Sequence, residues 1–240
     1  MRERPQGYLE ASELPDGVKL LPPPPAQGSA AQALDDELNR RVLKLRDTPR
    51  WALARQDAIP HPGLAFSCVL DVPLTETEAP TLFNLLIRAG IDAGAAVMPP
   101  KKHYQRKRPF LINEQPICTD GDRGATARNG AYPSGHTAAG WIWALILTEL
   151  EPERADEILA RGHAYGQSRE ICNVHWHSDV VQGRVMASAL YARLQANESF
   201  RDDMRKAAGE LAALRQRSDG PGRKCDAERQ VLSDTDLAAL

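Results

Sequence analysis

Apolar residues along this chain recur at helical spacing and do not alternate with polar residues over any strand-length window. The segment 30–46 is the clearest case, because its apolar positions are spaced by three or four residues. These positions are Leu34, Leu38, Val42 and Leu45. Helical periodicity without strands predicts an all-α fold. With 42% hydrophobic residues in a chain of 240, we expect a single domain with a buried core.

Start and stop signals place the remaining helices. Thr77 is expected to cap a helix that has Pro80 in its first turn and ends before Pro99. Further helices are predicted over 50–58, 135–150, 153–167, 178–195 and 198–215, and a long loop over 111–132. We divide the chain into an extended Pro-rich N-terminal arm (1–29), a helical domain (30–215) and a polar C-terminal tail (216–240) that lies over the surface.

Charge and hydropathy argue against two classes of protein. The chain has 30 Lys and Arg against 32 Asp and Glu, whereas nucleic-acid-binding domains are usually strongly basic, so no nucleic-acid partner is expected. The longest uninterrupted apolar run, 141–147, is far shorter than the ~20 residues of a membrane span. We therefore expect no membrane-spanning helix. The first residues also lack the apolar core of a signal peptide.

The four cysteines, Cys68, Cys118, Cys172 and Cys225, show neither CxxC nor CxxH spacing, so no zinc site is predicted. An even number is compatible with two disulfides in an oxidising compartment. It is equally compatible with four buried thiols in a cytosolic enzyme, and composition leaves both interpretations open.

Three polar clusters carry the candidate chemistry, and the first is the basic segment 101–109. Five of the eight residues 101–108 are Lys or Arg. Such a run is often only a solvated surface. Its functional interpretation is an anion clamp, in which Arg offers a planar fork to phosphate oxygens and Lys a point charge.

The second cluster, GAYPSGHT at 130–137, stands directly before an apolar helical segment. Pro133 and Gly135 favour a tight turn, and Ser134 is a suitable N-cap. The first free N–H groups of the helix then form an anion site, beside which His136 is placed to act as an acid or a base. The alternative is a capped helix with an incidental histidine.

The third cluster, SREICNVHWHSD at 168–179, holds His175 and Asp179 four residues apart, on one face if the segment is helical. The carboxylate can accept the Nδ1 proton and leave Nε2 as a nucleophile or base. His175 and His177 lack a third ligand at a suitable spacing, so no metal site is predicted. The other histidines, His61, His103 and His163, are expected to be surface or hydrogen-bonded residues.

Together the clusters match, without a mismatch, the pattern K-x6-RP, PSGH and SR-x5-H-x3-D of the phosphatidic-acid-phosphatase type 2 (PAP2) superfamily. Within it the chain resembles the bacterial class A non-specific acid phosphatases over about 20–215. The supporting segments are LLPPPP (20–25), LRDTPR (45–50), RKRPF (106–110), GAYPSGHT (130–137) and SREICNVHWHSDV (168–180). Ala131 stands where the family signature has Ser, outside the set of reacting residues, and the tail after 216 is longer than expected.

The resemblance implies the helical bundle of the PAP2 and vanadium-haloperoxidase type and a cofactor-free, metal-independent hydrolysis of phosphate monoesters, with phosphotransfer to alcohols as a possible second activity. His175 would attack phosphorus through Nε2 while Asp179 holds its ring. His136 would protonate the leaving oxygen and then activate water. The residues implied to hold the phosphate oxygens are Lys101, Arg108, Ser134, Gly135 and Arg169.

The resemblance further implies bonds from Cys118 to Cys172 and from Cys68 to Cys225. It implies a periplasmic protein whose signal peptide, absent from this chain, is expected to have been removed. It also implies a homo-oligomer that acts on small phosphomonoesters and is inhibited by phosphate or vanadate.

Three other interpretations remain to be weighed. Vanadate-dependent haloperoxidases share this pocket but are usually longer chains. Membrane lipid phosphatases share the motifs but need spanning helices. A non-catalytic anion-binding protein would need the cations but would have no use for His136 or for the His175–Asp179 pair. The sequence does not name a leaving group, whose contacts are expected within 98–104 and 111–132.

Overall fold

The computed structural model describes residues 5–119, 121 and 123–234 of the protein, and over these residues it contains helices and no strand. The all-α prediction is therefore confirmed. The helices are α1 (Gly17–Leu20), α2 (Ala30–Val42), α3 (Pro49–Gln56), α4 (Pro62–Leu70), α5 (Pro80–Ala96), α6 (Met98–Tyr104), α7 (Phe110–Asn113), α8 (Arg123–Ala127), α9 (Gly135–Leu150), α10 (Ala155–Ile171), α11 (His177–Leu194), α12 (Glu198–Arg217) and α13 (Asp226–Asp234). Short 3-10 turns follow α2 and α9.

Helix α9 is the centre of the bundle and packs against α5, α10 and α11. It forms an antiparallel pair with α10, and the two helices approach closely at glycines. A Cβ on Gly140 would lie 2.1 Å from the ring of Tyr165, and one on Gly162 would lie 2.6 Å from the Ala144 methyl group. Because the pair is antiparallel, the start of α9 and the end of α10 meet at the same end of the bundle. The second and third clusters are thereby brought together.

The start of α5 corrects the prediction for Thr77. Its N-cap is Ala79, which makes no side-chain cap. The free backbone N–H groups of Thr81 and Leu82 instead donate to the carboxylate of Glu210 on α12, at 3.2 and 2.8 Å. The carboxylate of Glu210, from a distant helix, therefore caps the start of α5 in place of the predicted Thr77 hydroxyl.

The helix ends before Pro99 as predicted, but the two prolines then occupy the first turn of α6. By length and composition, the stretch Pro80–Tyr104 could cross a membrane, although it contains no long uninterrupted apolar run. In the structure it is a core element, because Leu82, Leu85 and Leu86 are fully buried against the other helices.

Two local predictions on the N-terminal half need correction. Leu34 was expected on the buried stripe of α2, but it is 54% exposed, while Leu38 and Val42 are buried. Helix α4 was not predicted at all. Its sequence, PGLAFSCVL, is apolar on every side and buried almost throughout, so it has no periodicity for a pattern search to find. The long loop 111–132 also contains the short helices α7 and α8.

Both ends of the described chain are attached to the bundle. In the N-terminal arm, the buried Tyr8 donates its backbone N–H to Asp92 at 2.8 Å. In the C-terminal tail, Glu228 on α13 is buried and pairs with Arg161 at 3.0 Å. The tail is therefore not the purely polar surface segment that its composition predicted.

Both cysteine pairs implied by the resemblance are bonded in the structure, Cys68 to Cys225 and Cys118 to Cys172. The partners are 157 and 54 residues apart in sequence. In the chain-entropy model, closing loops of this length stabilises the folded state by about 4–5 kcal/mol for each bond. The first bond ties the tail to α4, and the second ties the loop before α8 to the end of α10.

Replacing Cys68 and Cys225 together by Ala is expected to lower the free energy of unfolding by roughly 2–5 kcal/mol. The kcat should stay close to that of the wild type, because neither residue belongs to the three polar clusters. Denaturant unfolding and steady-state kinetics measure the two quantities. A thiol count on unfolded, unreduced wild-type protein is the control, and four free thiols would contradict both bonds.

Candidate active site

The three clusters meet at one cavity of about 420 Å³, at the end of the bundle where α9 begins. Its lining combines cations and histidines with a mostly small and apolar wall. The lining residues are Ala58, Gly94, Val97, Met98, Lys101, Arg108, Thr119, Ala125, Thr126, Asn129, Gly135, His136, Arg169, Val174 and His175. Parts of 98–104 and 111–132 are among them, where leaving-group contacts were expected. Another cavity, of about 550 Å³ between α4, α10 and α13, is lined by none of the predicted catalytic or phosphate-binding residues.

His175 is held on both sides of its ring. Nδ1 lies 3.3 Å from Oδ2 of Asp179, and Nε2 lies 3.0 Å from Nη1 of Arg108. A guanidinium can only donate, so Nε2 accepts and carries no proton, while Nδ1–H donates to the carboxylate. Two independent contacts therefore select the same tautomer. It leaves the Nε2 lone pair on the side of the cavity cations.

The geometry of this pair differs from the prediction. His175 precedes α11, which begins at His177, so the two side chains do not share a helix face. Asp179 is the third residue of α11, and its Oδ2 also accepts the backbone N–H of Trp176 at 2.8 Å. The carboxylate thus caps the helix and contacts the histidine at the same time.

Burial, together with the nearby Arg108 and Lys101, lowers the pKa of His175 well below its ordinary value. Each of these causes disfavours an imidazolium. His175 is therefore neutral at mildly acidic pH, as a nucleophile must be.

His136, the second residue of α9, is held by the chain after α3. Its Nε2 lies 3.0 Å from the carbonyl oxygen of Ala58. Because a carbonyl only accepts, Nε2 carries a proton, and Nδ1 is the nitrogen left to take up and release another. Burial, with Arg169 as the next cause, lowers the pKa of His136 to about 4. In the free protein the ring is therefore neutral near pH 6.

Three buried cations face the cavity, and each is held by backbone carbonyl groups. Lys101 Nζ donates to Gly130 at 2.7 Å, Arg108 Nη1 to Val174 at 2.8 Å and Arg169 Nη2 to Ala54 at 2.8 Å. Within the described part of the chain, none of the three forms an ion pair with a carboxylate. No contacting carboxylate therefore neutralises their charge, although Asp179 attracts Lys101 and Arg108 through space. Burial lowers the pKa of Arg108 to about 10 and that of Lys101 well below its ordinary value.

Arg169 also has an unused donor, since its Nε is buried without a hydrogen-bond partner among the described residues. An unpartnered buried donor is unfavourable, and an anion in the cavity can accept from it. Unneutralised cations and a free donor together make this cavity suited to an oxyanion.

Ser134 and Gly135 occupy different places around the cavity. Gly135 lines it as the first residue of α9, where a backbone N–H is free. Ser134 is fully buried, and its Oγ accepts the N–H and the hydroxyl of Thr137 at 3.3 and 2.9 Å. It caps α9 as predicted, and the cavity lining does not include it. Its expected contact with phosphate stays a prediction.

The remaining histidines take ordinary roles. His61 caps α4, accepting the N–H of Leu64 at 3.2 Å, and His103 contacts the ring of Tyr104. His163 is hydrogen-bonded to Gln167, and His177 lies 3.3 Å from Glu170. Among the residues that the structure describes, no three His, Cys, Asp or Glu side chains come together as metal ligands do.

Several residues that support the site were missed by sequence reasoning. The turn between Arg169 and His175 depends on Asn173, which has a φ of 60° and a fully buried side chain. Its side-chain oxygen accepts hydrogen bonds from the amide groups of Asn39 and Asn113, at 3.0 and 2.9 Å. An Asn just after a helix is a known signal for this backbone conformation. Arg106 belongs to the basic segment predicted as an anion clamp, but it contacts Asp179, whereas Asp35, which contacts Ser178, left no comparable signal.

Comparison with known proteins gives a consistent result. A model of the PAP2 superfamily matches residues 81–197. An acid phosphatase of Zymomonas mobilis is 42% identical over 203 residues, covering 83% of this chain and 77% of the relative. A non-specific acid phosphatase of Providencia stuartii is 42% identical over 212 residues, with 87% and 86% covered. One from Salmonella typhimurium is 38% identical over 213 residues, with 86% and 84% covered.

Proposed function

Because the chain belongs to the PAP2 superfamily and is an acid phosphatase, we propose that it hydrolyses a broad range of phosphate monoesters through a phosphohistidine on His175, without a metal ion. The observation that carries this proposal is the pair of contacts on the ring of His175, from which its tautomer follows. Asp179 and Arg108 leave an unprotonated Nε2 beside three unneutralised cations. A neutral nucleophile in a cavity built for an oxyanion is what in-line attack on phosphorus requires.

In the first step, Arg108 exchanges its hydrogen bond to Nε2 of His175 for one to a phosphate oxygen. The freed Nε2 forms a bond to phosphorus while the bond to the leaving oxygen breaks. His136 donates a proton to that oxygen, and the imidazolium that forms on His175 is stabilised by Asp179. Lys101, Arg108 and Arg169, with the N–H of Gly135, hold the non-bridging oxygens, over which charge spreads in the transition state.

In the second step, water attacks phosphorus, and His136 takes the proton from the attacking oxygen as the bond to Nε2 breaks. The site is then back in its starting state. An alcohol that replaces water in the same position would receive the phosphoryl group, so phosphotransfer uses the same residues. The three cations supply the positive charge that magnesium supplies in other phosphoryl-transfer enzymes.

The pH dependence follows from where the required proton comes from. The pKa of His136 is about 4 in the free protein, and phosphate monoesters lose their second proton near pH 6. Below about pH 6 the monoanionic ester brings the proton that His136 needs, and the bound phosphate raises the pKa of His136 enough to receive it. Above about pH 6.5 neither the ester nor His136 carries that proton, so the enzyme–substrate complex must take it up from water.

We therefore expect kcat/KM to be greatest at about pH 5–6.5 and to fall about tenfold per unit above that range. The acid limb should report protonation of the coupled His175–Asp179 pair, and it should lie below the ordinary histidine value because the pKa of His175 is lowered. A kcat/KM profile from pH 3 to 9 measures both limbs. An optimum above about pH 8 would remove His136 from the general-acid role.

The role of His136 can be tested with two leaving groups. p-Nitrophenolate leaves without much protonation, whereas an alkyl alkoxide needs a full proton. His136→Ala is therefore expected to slow the release of an alkyl alcohol far more than that of p-nitrophenol. Burst and single-turnover kinetics on matched phosphate esters measure the release step. Equal losses on both esters would contradict the assignment.

The proposed function itself is tested by turnover of p-nitrophenyl phosphate in excess EDTA. We expect full activity, with competitive inhibition by inorganic phosphate and by vanadate. A non-catalytic anion-binding protein would give no turnover, and a haloperoxidase would show its own reaction only with added vanadate and peroxide. Loss of activity in EDTA that added metal restores would contradict metal independence.

We further propose that the protein works in the periplasm. Two disulfides support this location, since such bonds persist in oxidising compartments and are rare in the bacterial cytosol. The bacterial relatives named as non-specific acid phosphatases support it as well. Fractionation of cells that express the complete gene, followed by activity measurement, tests the location directly.

A further inference from the structure

Arg106 lies in the basic segment but does not face the cavity. Its side chain is only 8% exposed and is hydrogen-bonded to groups from two parts of the chain, α2 and the start of α11. One nitrogen, Nη1, donates to Asp179 Oδ1 and to Ser178 Oγ, both at 2.7 Å. The other, Nη2, donates to Asp35 Oδ2 at 2.7 Å and to Gln32 Oε1 at 2.9 Å. This guanidinium therefore bridges two carboxylates.

Asp35, on α2, completes the arrangement from the far side. It is 2% exposed, and it accepts the backbone N–H of Ser178 at 2.9 Å and the Ser178 hydroxyl at 2.6 Å. Ser178 is the second residue of α11, so Asp35 satisfies a free N–H at the start of that helix from another helix. The same carboxylate thus holds both Arg106 and the backbone beside Asp179.

These contacts form one chain of groups that ends at the nucleophile. His175 contacts Oδ2 of Asp179, Arg106 contacts Oδ1 of the same carboxylate, and Asp35 contacts Arg106. The carboxylate of Asp179 is thereby fixed at both oxygens. Asp35 and Arg106 touch neither the cavity nor the position of the phosphate.

The charges explain why such a chain is useful. Asp179 is fully buried, and burial raises the pKa of its carboxyl, while Arg106 and Lys101 oppose that change. The charged or titratable groups that face Asp179 are His175, Lys101, Arg106, Arg108 and Tyr132, and those that face His175 also include His136 and Arg169. Lys101 and Arg108 also serve the phosphate. Arg106 is the cation in contact with Asp179 that the phosphate does not share.

We propose that Arg106 and Asp35 are positioning residues for His175: Arg106 keeps the Asp179 carboxylate ionised and oriented, and Asp35 fixes Arg106 and the start of α11. This proposal rests on the function proposed above. It assigns a task to a residue between Lys101 and Arg108 that the K-x6-RP pattern leaves unspecified.

The test compares R106Q, R106K and D35N with the wild type, using p-nitrophenyl phosphate over a range of pH. R106Q should lose about 10- to 100-fold in kcat, the loss typical of a partner behind a primary functional group. Its KM and its inhibition by inorganic phosphate should change little, because the phosphate contacts remain. R106K should recover part of the lost kcat, since it keeps the charge but cannot bridge both carboxylates.

The acid limb of the kcat/KM profile separates positioning from a general loss of stability. Removing the Arg106 cation favours protonation of the His175–Asp179 pair, so the limb should move to higher pH in R106Q. Removing the Asp35 anion disfavours protonation, so it should move to lower pH in D35N. A merely structural role would not move the two variants in opposite directions.

Glu37→Gln is the matched control, because Glu37 is a carboxylate on the same helix whose ion pairs, among the described residues, are with Arg40 and Arg41 of α2. It should behave as the wild type. Wild-type kcat in R106Q, or equal shifts of the acid limb in R106Q and D35N, would overturn the proposal. If R106Q fails to fold, the isosteric variant D35N is the test. A kcat and an acid limb in D35N that both equal those of the wild type would overturn the proposal. A wild-type enzyme that turns over without phosphate on His175 would instead contradict the proposed function.

Discussion

Replacing His175 by Ala is expected to lower kcat by roughly four to six orders of magnitude, the loss found when a nucleophile acting within a catalytic unit is removed. The reason is covalent: without Nε2, no bond to phosphorus can form, and water would have to attack the ester directly. The cations and the N–H of Gly135 remain, so the variant should still bind phosphate. Inhibition or calorimetric titration with inorganic phosphate measures that binding.

His177→Ala provides a matched control two residues away. His177 pairs with Glu170 and does not line the cavity, so its loss should change kcat no more than a few-fold. Residual activity of His175→Ala within about tenfold of the wild type would mean that the nucleophile lies elsewhere.

Asp179→Asn is expected to lower kcat by roughly three to four orders of magnitude, by analogy with the buried carboxylate of a catalytic triad. The hydrogen bonds around Asp179 decide how the amide must sit. Arg106 and the Trp176 N–H can only donate and face different oxygens of Asp179, so one amide oxygen cannot serve both. Placed toward the charged Arg106, it leaves the NH2 group facing Trp176 and His175. Nδ1 of His175 must then accept, which moves the ring proton to Nε2 and removes the nucleophilic lone pair.

Because the cavity cations are untouched, the affinity of this variant for inorganic phosphate should stay close to that of the wild type. The ring proton can be located by nitrogen NMR of labelled histidine, and kcat by steady-state assay. An unchanged kcat would show that His175 is oriented by another group.

Sequence patterns predicted the parts of this protein whose causes are local. The bounds of the helices with a polar face were predicted to within a few residues, because the spacing of their apolar residues indicates a helix directly. The motif residues Lys101, Arg108, His136, Arg169 and His175 were identified, and the structure brings them to one cavity. Their roles in the reaction stay predictions, and the variants described above are the test of them.

Features that depend on distant contacts could not be predicted in this way. Helix α4 is buried on all sides and shows no period, and the start of α5 is capped by Glu210, 128 residues from Leu82. Asp35 lies 143 residues from Ser178, so nothing local indicates that it supports Asp179. The contact of His136 with the Ala58 carbonyl could not be predicted either, because every residue has a backbone oxygen and the sequence does not indicate which one is used.

The central claim is that His175 becomes phosphorylated during turnover. The direct measurement is to mix the wild-type enzyme with a phosphate-labelled ester, quench in alkaline denaturant within the first turnovers, and locate the label by peptide mass spectrometry. Phosphoramidates survive alkali and are cleaved by acid, so a parallel acid-treated sample is the control. Acid-labile phosphate on His175 is the predicted result, whereas acid-stable phosphate on Ser134 would contradict the mechanism.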